Sequence, residues 1–207
     1  MLVTFSALLA AAGLWAEPPR SAPTTTAEHA PPLGWKLPDL TDSMQKLRGR
    51  SYTKGKQLFE KALCVTCHKQ DNVGNEFGPD LTKLDPRFQP LDILRDILDP
   101  SRRIADAKFD TWVFQTDSGH IVTGLIQQET DQVVKVLEKP LALASPLVLK
   151  KTEIETRKMS LVSIMPQGLL DKLTREEIAD LVAYVAARGD PADPLVRLEH
   201  ADDSGQK

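Results

Sequence analysis

The only two cysteines of the chain stand three positions apart, and a histidine follows the second at once: Cys64-Val65-Thr66-Cys67-His68. Two thiols at this spacing can reach two vinyl groups on one edge of a porphyrin, and a histidine just beyond them can bring its imidazole to the iron from one face. The spacing C-x-x-C-H reads as a covalent haem attachment site, with His68 as the proximal ligand. Other chemistries fit less well. A structural zinc site needs four ligands; besides Cys64 and Cys67 the chain offers His29, His68, His120 and His200, of which His29 and His200 fall in tail-like sequence. A thiol redox pair belongs between a strand and a helix of a βαβ unit, whereas a helical pattern precedes this motif and an irregular stretch follows it. A plain disulfide of an exported chain is the remaining rival.

Haem iron takes a second axial ligand, and "SIMPQGLL" at 163–170 offers one. Pro166 disfavours helix at Met165 and holds it extended, and Gly168 loosens the turn that follows. A thioether on an extended loop can approach the iron from the face opposite His68. The commoner role of a methionine is to fill a gap in the core; Met159 and His120 are the competing ligand candidates. With His68 and Met165 both bound the iron has no open position, which leaves one-electron exchange through the haem edge. The competing function is a haem-based peroxidase or gas sensor whose distal methionine is labile. Arg102 and Arg103 are candidates to pair with the haem propionates, since arginine matches carboxylates bidentately, although a solvated surface pair is the commoner case.

Several elements must place these groups. From Leu40 through Met44 and Leu47, and again from Leu58 and Phe59 to Leu63, apolar residues recur at helical spacing and deliver the chain to Cys64. Residues 69–90 are loop-like, broken by Gly74, Gly78, Pro79, Pro86 and Pro90. A short helix follows through Leu91, Leu94, Ile97 and Leu98, with Pro90 at its start and Pro100 at its stop. From Lys108 the pattern turns to β-branched and aromatic runs around Asp117-Ser118-Gly119, predicting an antiparallel hairpin extended to a small sheet, with Trp112 in its core. Thr174 and Glu177 form a capping box for a last helix whose apolar face is Ile178, Leu181, Val182 and Val185.

The wider chain agrees with a small exported domain. Its 207 residues suit one domain plus tails, and a formal charge of -3 argues against nucleic acid as a partner. "MLVTFSALLAAAGLWA" reads as a secretory signal peptide over 1–16, with an uncleaved membrane anchor as its rival. Residues 17–38, rich in Pro, Thr and Ala, read as a flexible leader, residues 39–190 as the folded domain, and residues 191–207 as a disordered tail.

"GKQLFEKALCVTCHK", "FGPDL", "SIMPQGLL" and "EEIADLVAYVA", in this order, resemble the landmarks of a class I cytochrome c, with Gly55 and Phe59 on the first helix and Tyr184 on the last. The resemblance implies a mainly α fold with a small antiparallel β-sheet inserted at 108–157, between the C-x-x-C-H motif and the distal methionine loop. It implies one covalent haem c and its iron held by Cys64, Cys67, His68 and Met165. It further implies that the carbonyl of Pro79 accepts a hydrogen bond from His68, which fixes the ring and raises its basicity. Met165 follows His68 by 97 residues, farther than a compact class I domain uses. "ILDPSRRI", "TDSGHIVTGLI" and "SIMPQGLL" resemble the planctomycete-type haem-binding domain family, a cytochrome c variant associated with larger dehydrogenases. The expectation is a periplasmic or otherwise exported electron carrier, not itself an enzyme, whose partners are redox proteins such as a separate dehydrogenase or a terminal oxidase. Membrane contact is expected only through the N-terminal segment if it is not cleaved.

Overall fold

Four α-helices form among the residues that the computed structural model describes, 34–102, 109–142 and 144–198. Helix α1, Leu37–Met44, buries Leu40 and Met44, and the Asp39 carboxylate accepts from the Lys36 backbone N–H at 2.8 Å across its first turn. Helix α2, Tyr52–Lys61, starts where the Ser51 hydroxyl accepts from Lys54 N–H at 3.1 Å. Helix α3, Pro90–Leu98, has proline at its first position, where a missing N–H costs nothing, and buries Ile93 and Leu94. Helix α4, Arg175–Ala186, carries the expected capping box: Thr174 Oγ1 accepts from Glu177 N–H at 3.2 Å, and the Glu177 carboxylate accepts from Thr174 N–H at 2.7 Å.

Helix α4 is the axis of the helical core. Every residue from Ile178 to Ala186 is buried, so the single apolar face expected from its periodicity understates its position. Small residues let neighbours close on the remaining sides. A Cβ on Gly55 would lie 2.4 Å from Tyr184 Cβ and 2.7 Å from the Asp180 carbonyl oxygen, so α2 and α4 meet backbone to backbone and only glycine fits there. The Tyr184 ring meets Tyr52 edge-on at 5.1 Å and Phe59 at 5.8 Å. Arg50 secures the same helix from outside, its guanidinium donating to Asp180 at 2.7 Å and Glu176 at 2.8 Å.

The second half is a five-stranded antiparallel sheet in the order β7-β6-β5-β4-β8, built from β4 Thr111–Thr116, β5 Ile121–Glu129, β6 Val133–Leu137, β7 Leu147–Lys150 and β8 Ile154–Met159. Strands β7 and β8 are consecutive in sequence yet form opposite edges. In a flat sheet those edges would stand about 19 Å apart, while the three-residue link Lys151–Glu153 spans at most about 14 Å between flanking Cα atoms. The sheet therefore curls. Its concave face closes over Phe114, Val122, Val134, Val136 and Leu149, with Trp112 packed alongside. Glu129 bridges the approaching edges, meeting Lys151 at 2.8 Å and Arg157 at 3.0 Å. Arg157 lies over the Trp112 ring at 4.2 Å.

Several expectations are corrected. The chain is not mainly α: helices and strands take nearly equal shares of the described residues, because the curled sheet forms a core of its own. The sheet ends at Met159 rather than at residue 157. Order begins before residue 39, since Trp35 packs against the helical core and its Nε1 donates to the Leu173 carbonyl at 3.0 Å. At the other end, buried Val196 lies in strand β9, Val196–Arg197, which pairs in parallel with β1, Arg50–Ser51. Residues 191–198 therefore belong to the fold and not to a disordered tail, because β1 offers them a backbone partner. Residues 69–74, read as loop, form a tight hairpin of β2, Lys69–Gln70, and β3, Val73–Gly74. Asp71 and Asn72 both take positive φ between them, the geometry of a type I′ turn. The signal peptide, most of the leader, His29, Arg103, His200 and the end of the tail lie outside the described residues. No helix among the described residues is long and apolar enough to cross a membrane.

Candidate functional site

Helix α2 ends at Lys61 and the chain reverses through Leu63, whose left-handed backbone (φ 62°) starts a 3-10 turn over Cys64–Thr66. The turn presents both thiols to one cavity: Cys67 N–H donates to the Cys64 carbonyl at 3.1 Å, and His68 N–H to the same oxygen at 2.8 Å. The thiols are unbridged. Burial pushes the Cys64 thiol up to about 12 and raises Cys67 as well. A reactive dithiol calls for the opposite, a thiol depressed by nearby positive charge or a helix N-terminus, so this setting does not favour the redox-pair reading. Nor does a group of three or more His, Cys, Asp or Glu side chains suited to a metal ion form among the described residues.

His68 is held from two sides. Its Nδ1 lies 2.9 Å from the Pro79 carbonyl oxygen, and since a carbonyl can only accept, Nδ1 carries the proton and Nε2 keeps its lone pair. Burial lowers the affinity of the imidazole for a second proton, an effect the Pro79 bond partly offsets. Gly78 lies flat against the ring: a Cβ there would stand 2.6 Å from His68 Cε1. The loop that brings Gly78 and Pro79 into place is tied to the motif itself, Gly78 N–H donating to the Cys67 carbonyl at 2.7 Å and Asn75 Nδ2 to the Thr66 carbonyl at 3.0 Å.

Cys64, Cys67, His68, Pro79 and Met165 all line one cavity of about 270 Å³. Most of its wall is apolar, with Phe59 of α2, Ile93 and Ile97 of α3, and Val185 of α4 among the residues facing it. Met165 sits on the loop after β8. Its N–H donates to Ser163 Oγ at 3.1 Å, and Ser163 N–H donates to Ser101 Oγ at 3.1 Å, which ties the loop to the segment just after α3. The two competing ligand candidates are elsewhere: Met159 is 46% exposed at the end of β8 and does not line the cavity, and His120 is exposed in the β4–β5 turn.

Phe59 and Leu63 line the cavity, Leu58 turns into the helical core, and Val185 is the residue of α4 that faces the cavity. Arg102 pairs with Asp96 at 2.6 Å. Sequence reasoning missed Phe77, Leu81, Leu84 and Phe88, which line the cavity from an irregular segment. Apolar residues recurring in a loop without secondary-structure period were the available signal, because such side chains need something inside the chain to cover them. Thr111 and Leu125, contributed by the sheet, were also missed.

The residues fit a covalently attached haem. Two thiols and an imidazole with its Nε2 lone pair free stand at one end of an apolar cavity, a backbone glycine leaves room for the imidazole plane, and a thioether lies on the same wall system. A model of the cytochrome c family matches residues 52–139. The match takes in α2, the cysteine motif, Pro79, α3 and the first half of the sheet, stops before Met165, and supports a haem-binding, electron-transferring role. No curated protein matches the chain.

Proposed function

We propose that this chain is an exported mono-haem c-type cytochrome that carries single electrons between redox proteins. The observation that carries the proposal is the convergence of Cys64, Cys67, His68 and Met165 on one apolar cavity although Met165 is 97 residues from His68. Cys64 and Cys67 would hold the haem through thioethers, and His68 and Met165 would be the protein's ligands to its iron. Haem bound by these residues would supply reversible one-electron exchange.

The protein's own residues tune that exchange. Pro79 holds His68 in the tautomer that offers Nε2 and raises the basicity of the ring. The apolar wall excludes water, which disfavours the more highly charged oxidised site and so raises the potential, as a methionine ligand also does relative to a second histidine. The sheet between α3 and the methionine loop is read as an insertion in a cytochrome c fold of the planctomycete-type haem-binding domain, and the partner as a dehydrogenase or terminal oxidase of the same exported compartment.

The test is a visible spectrum, oxidised and reduced, of protein produced with a haem-maturation system, together with a pyridine haemochrome. Covalent haem with the far-red Met-to-iron band is expected, and Met165→Ala should lose that band while keeping the haem. Persistence of the band in Met165→Ala would reject this ligand. Rapid carbon monoxide binding by the reduced wild type would favour the peroxidase or sensor reading, and absence of covalent haem would return Cys64 and Cys67 to a thiol pair.

A further inference from the structure

Thr111 is the one cavity-lining side chain among the described residues whose buried polar atom has no partner. It is 4% exposed, it opens strand β4, and its Oγ1 is without a hydrogen bond. A buried hydroxyl left unpaired costs about 1–3 kcal/mol, so its persistence here calls for a partner that arrives with the occupant of the cavity.

The sheet fixes where that hydroxyl sits. Thr111 pairs with Leu125 of β5 on one side, and on the other its carbonyl accepts from Ser160 N–H at 2.7 Å. Alternation along the strands puts Thr111, Leu125 and Leu137 on the convex face of the sheet. Farther along that face Ile121 and Val148 are 56% and 53% exposed, yet these three are buried, and Thr111 and Leu125 line the cavity. One end of the convex face thus seals the cavity, and it puts a hydroxyl there where an aliphatic residue would be ordinary.

Building on the haem assignment above, we propose that Thr111 anchors the haem through a hydrogen bond from its hydroxyl to a propionate carboxylate. The pyrrole nitrogens are taken by the iron and the vinyls by Cys64 and Cys67, so the propionates are the strong acceptors a haem brings. A thioether sulfur is a weak one, and Met165 is assigned to the iron. Among the described residues lining the cavity there is no lysine or arginine. Asp96, which does line it, is already held by Arg102 at 2.6 Å, and Ser163 is engaged with Met165 N–H. A hydroxyl donor to an ionised carboxylate is a strong hydrogen bond, and it relieves negative charge beside the haem, which favours the reduced state.

The experiment is resonance Raman spectroscopy of the haem-loaded protein in wild type, Thr111→Val and Thr111→Ser, with redox titration of each. Thr111→Val should shift the propionate bending modes, lower the potential and leave the Met-to-iron band in place, and Thr111→Ser should restore the wild-type values. Unchanged propionate modes in a haem-retaining Thr111→Val protein overturn the proposal. A displaced Met-to-iron band with unchanged propionate modes also overturns it, by assigning the hydroxyl to Met165. Should the valine variant fail to retain haem, Thr111→Ala removes the hydroxyl with a smaller side chain and is judged by the same modes. Wild-type propionate modes indifferent to deuterium exchange would overturn it without any variant. The haemochrome of wild-type protein reports separately whether haem is bound at all, so failure here leaves the cytochrome assignment standing.

Discussion

The two groups of residues proposed to ligate the haem, a proximal wall around His68 and a distal wall around Met165, reach the same cavity by opposite routes. On the proximal wall, Cys64, Cys67, His68, Gly78 and Pro79 come from one short stretch, and backbone hydrogen bonds inside that stretch set their geometry. On the distal wall, Met165 is tied through Ser163 to Ser101 after α3, and Thr111 and Leu125 of the sheet line the same cavity. Its flank is thinly covered, with Leu161 79% and Val162 66% exposed. A wall made of local contacts closes little loop entropy, whereas one assembled from distant segments relies on the whole fold remaining in place. The proximal wall should therefore be hard to disturb except by direct collision, and the distal wall should yield to small changes far from the iron.

The largest expected effect is a collision on the proximal side. Gly78→Ala would set a methyl 2.6 Å from His68 Cε1. Overpacking of this kind costs about 1–3 kcal/mol, and here the element that must move is His68, the proposed ligand. The expected outcome is loss of the low-spin His/Met spectrum, and a wild-type spectrum in this variant would break the claim that the proximal wall is tightly set. The intermediate effect is on the distal side. Ser101→Ala or Ser163→Ala removes one hydrogen bond, worth about 1 kcal/mol, and should raise the population of Met165-dissociated protein about fivefold. Either change should be seen as a lower pH or temperature midpoint for the Met-to-iron band, with the covalent haem and His68 untouched. Equal sensitivity of His68 ligation to these serines would erase the contrast between the walls.

The smallest effect concerns the sheet that closes the distal side. Hydrogen bonds from Lys151, then Arg157, hold the Glu129 carboxyl below its ordinary value. A depressed carboxyl stabilises the fold above its unfolded-state pKa, about 4.3, and that contribution is lost as pH falls through the lower folded value. Glu129→Gln should therefore lower the melting temperature at neutral pH by an amount equivalent to less than about 1 kcal/mol, and the two proteins should converge in acid. A difference that grows on acidification would reverse the assigned sign.

Legibility followed the same division. The helices around the motif, the capping box at Thr174 and Glu177 and the strands from Thr111 could be read ahead of the structure because each rests on neighbours within a few residues, whereas the Pro79 contact to His68 was expected only through the resemblance to cytochrome c. The burial of α4 on every side could not be read ahead, because Ala179, Ala183 and Ala186 look like surface-tolerant residues until neighbouring parts of the fold pack against them. The share of strand was underestimated because five short strands gain stability together only when the sheet curls over Phe114, a cooperative event with no single-strand signature. The Asp71-Asn72 turn was missed because it lacks the glycine that marks most type I′ turns.

What the amino-acid sequence determined by itself is the chemistry of one side of the cavity: two thiols and an imidazole at spacings that a single chain segment can satisfy. Tertiary structure decided the rest, including that Met165 rather than Met159 faces the cavity and that a threonine from a distant sheet brings a buried hydroxyl without a partner to the same wall. The physical reason is range. Backbone hydrogen bonding and steric fit act over a few residues and leave a trace in spacing, whereas burial is a property of surfaces that meet only once the chain has folded.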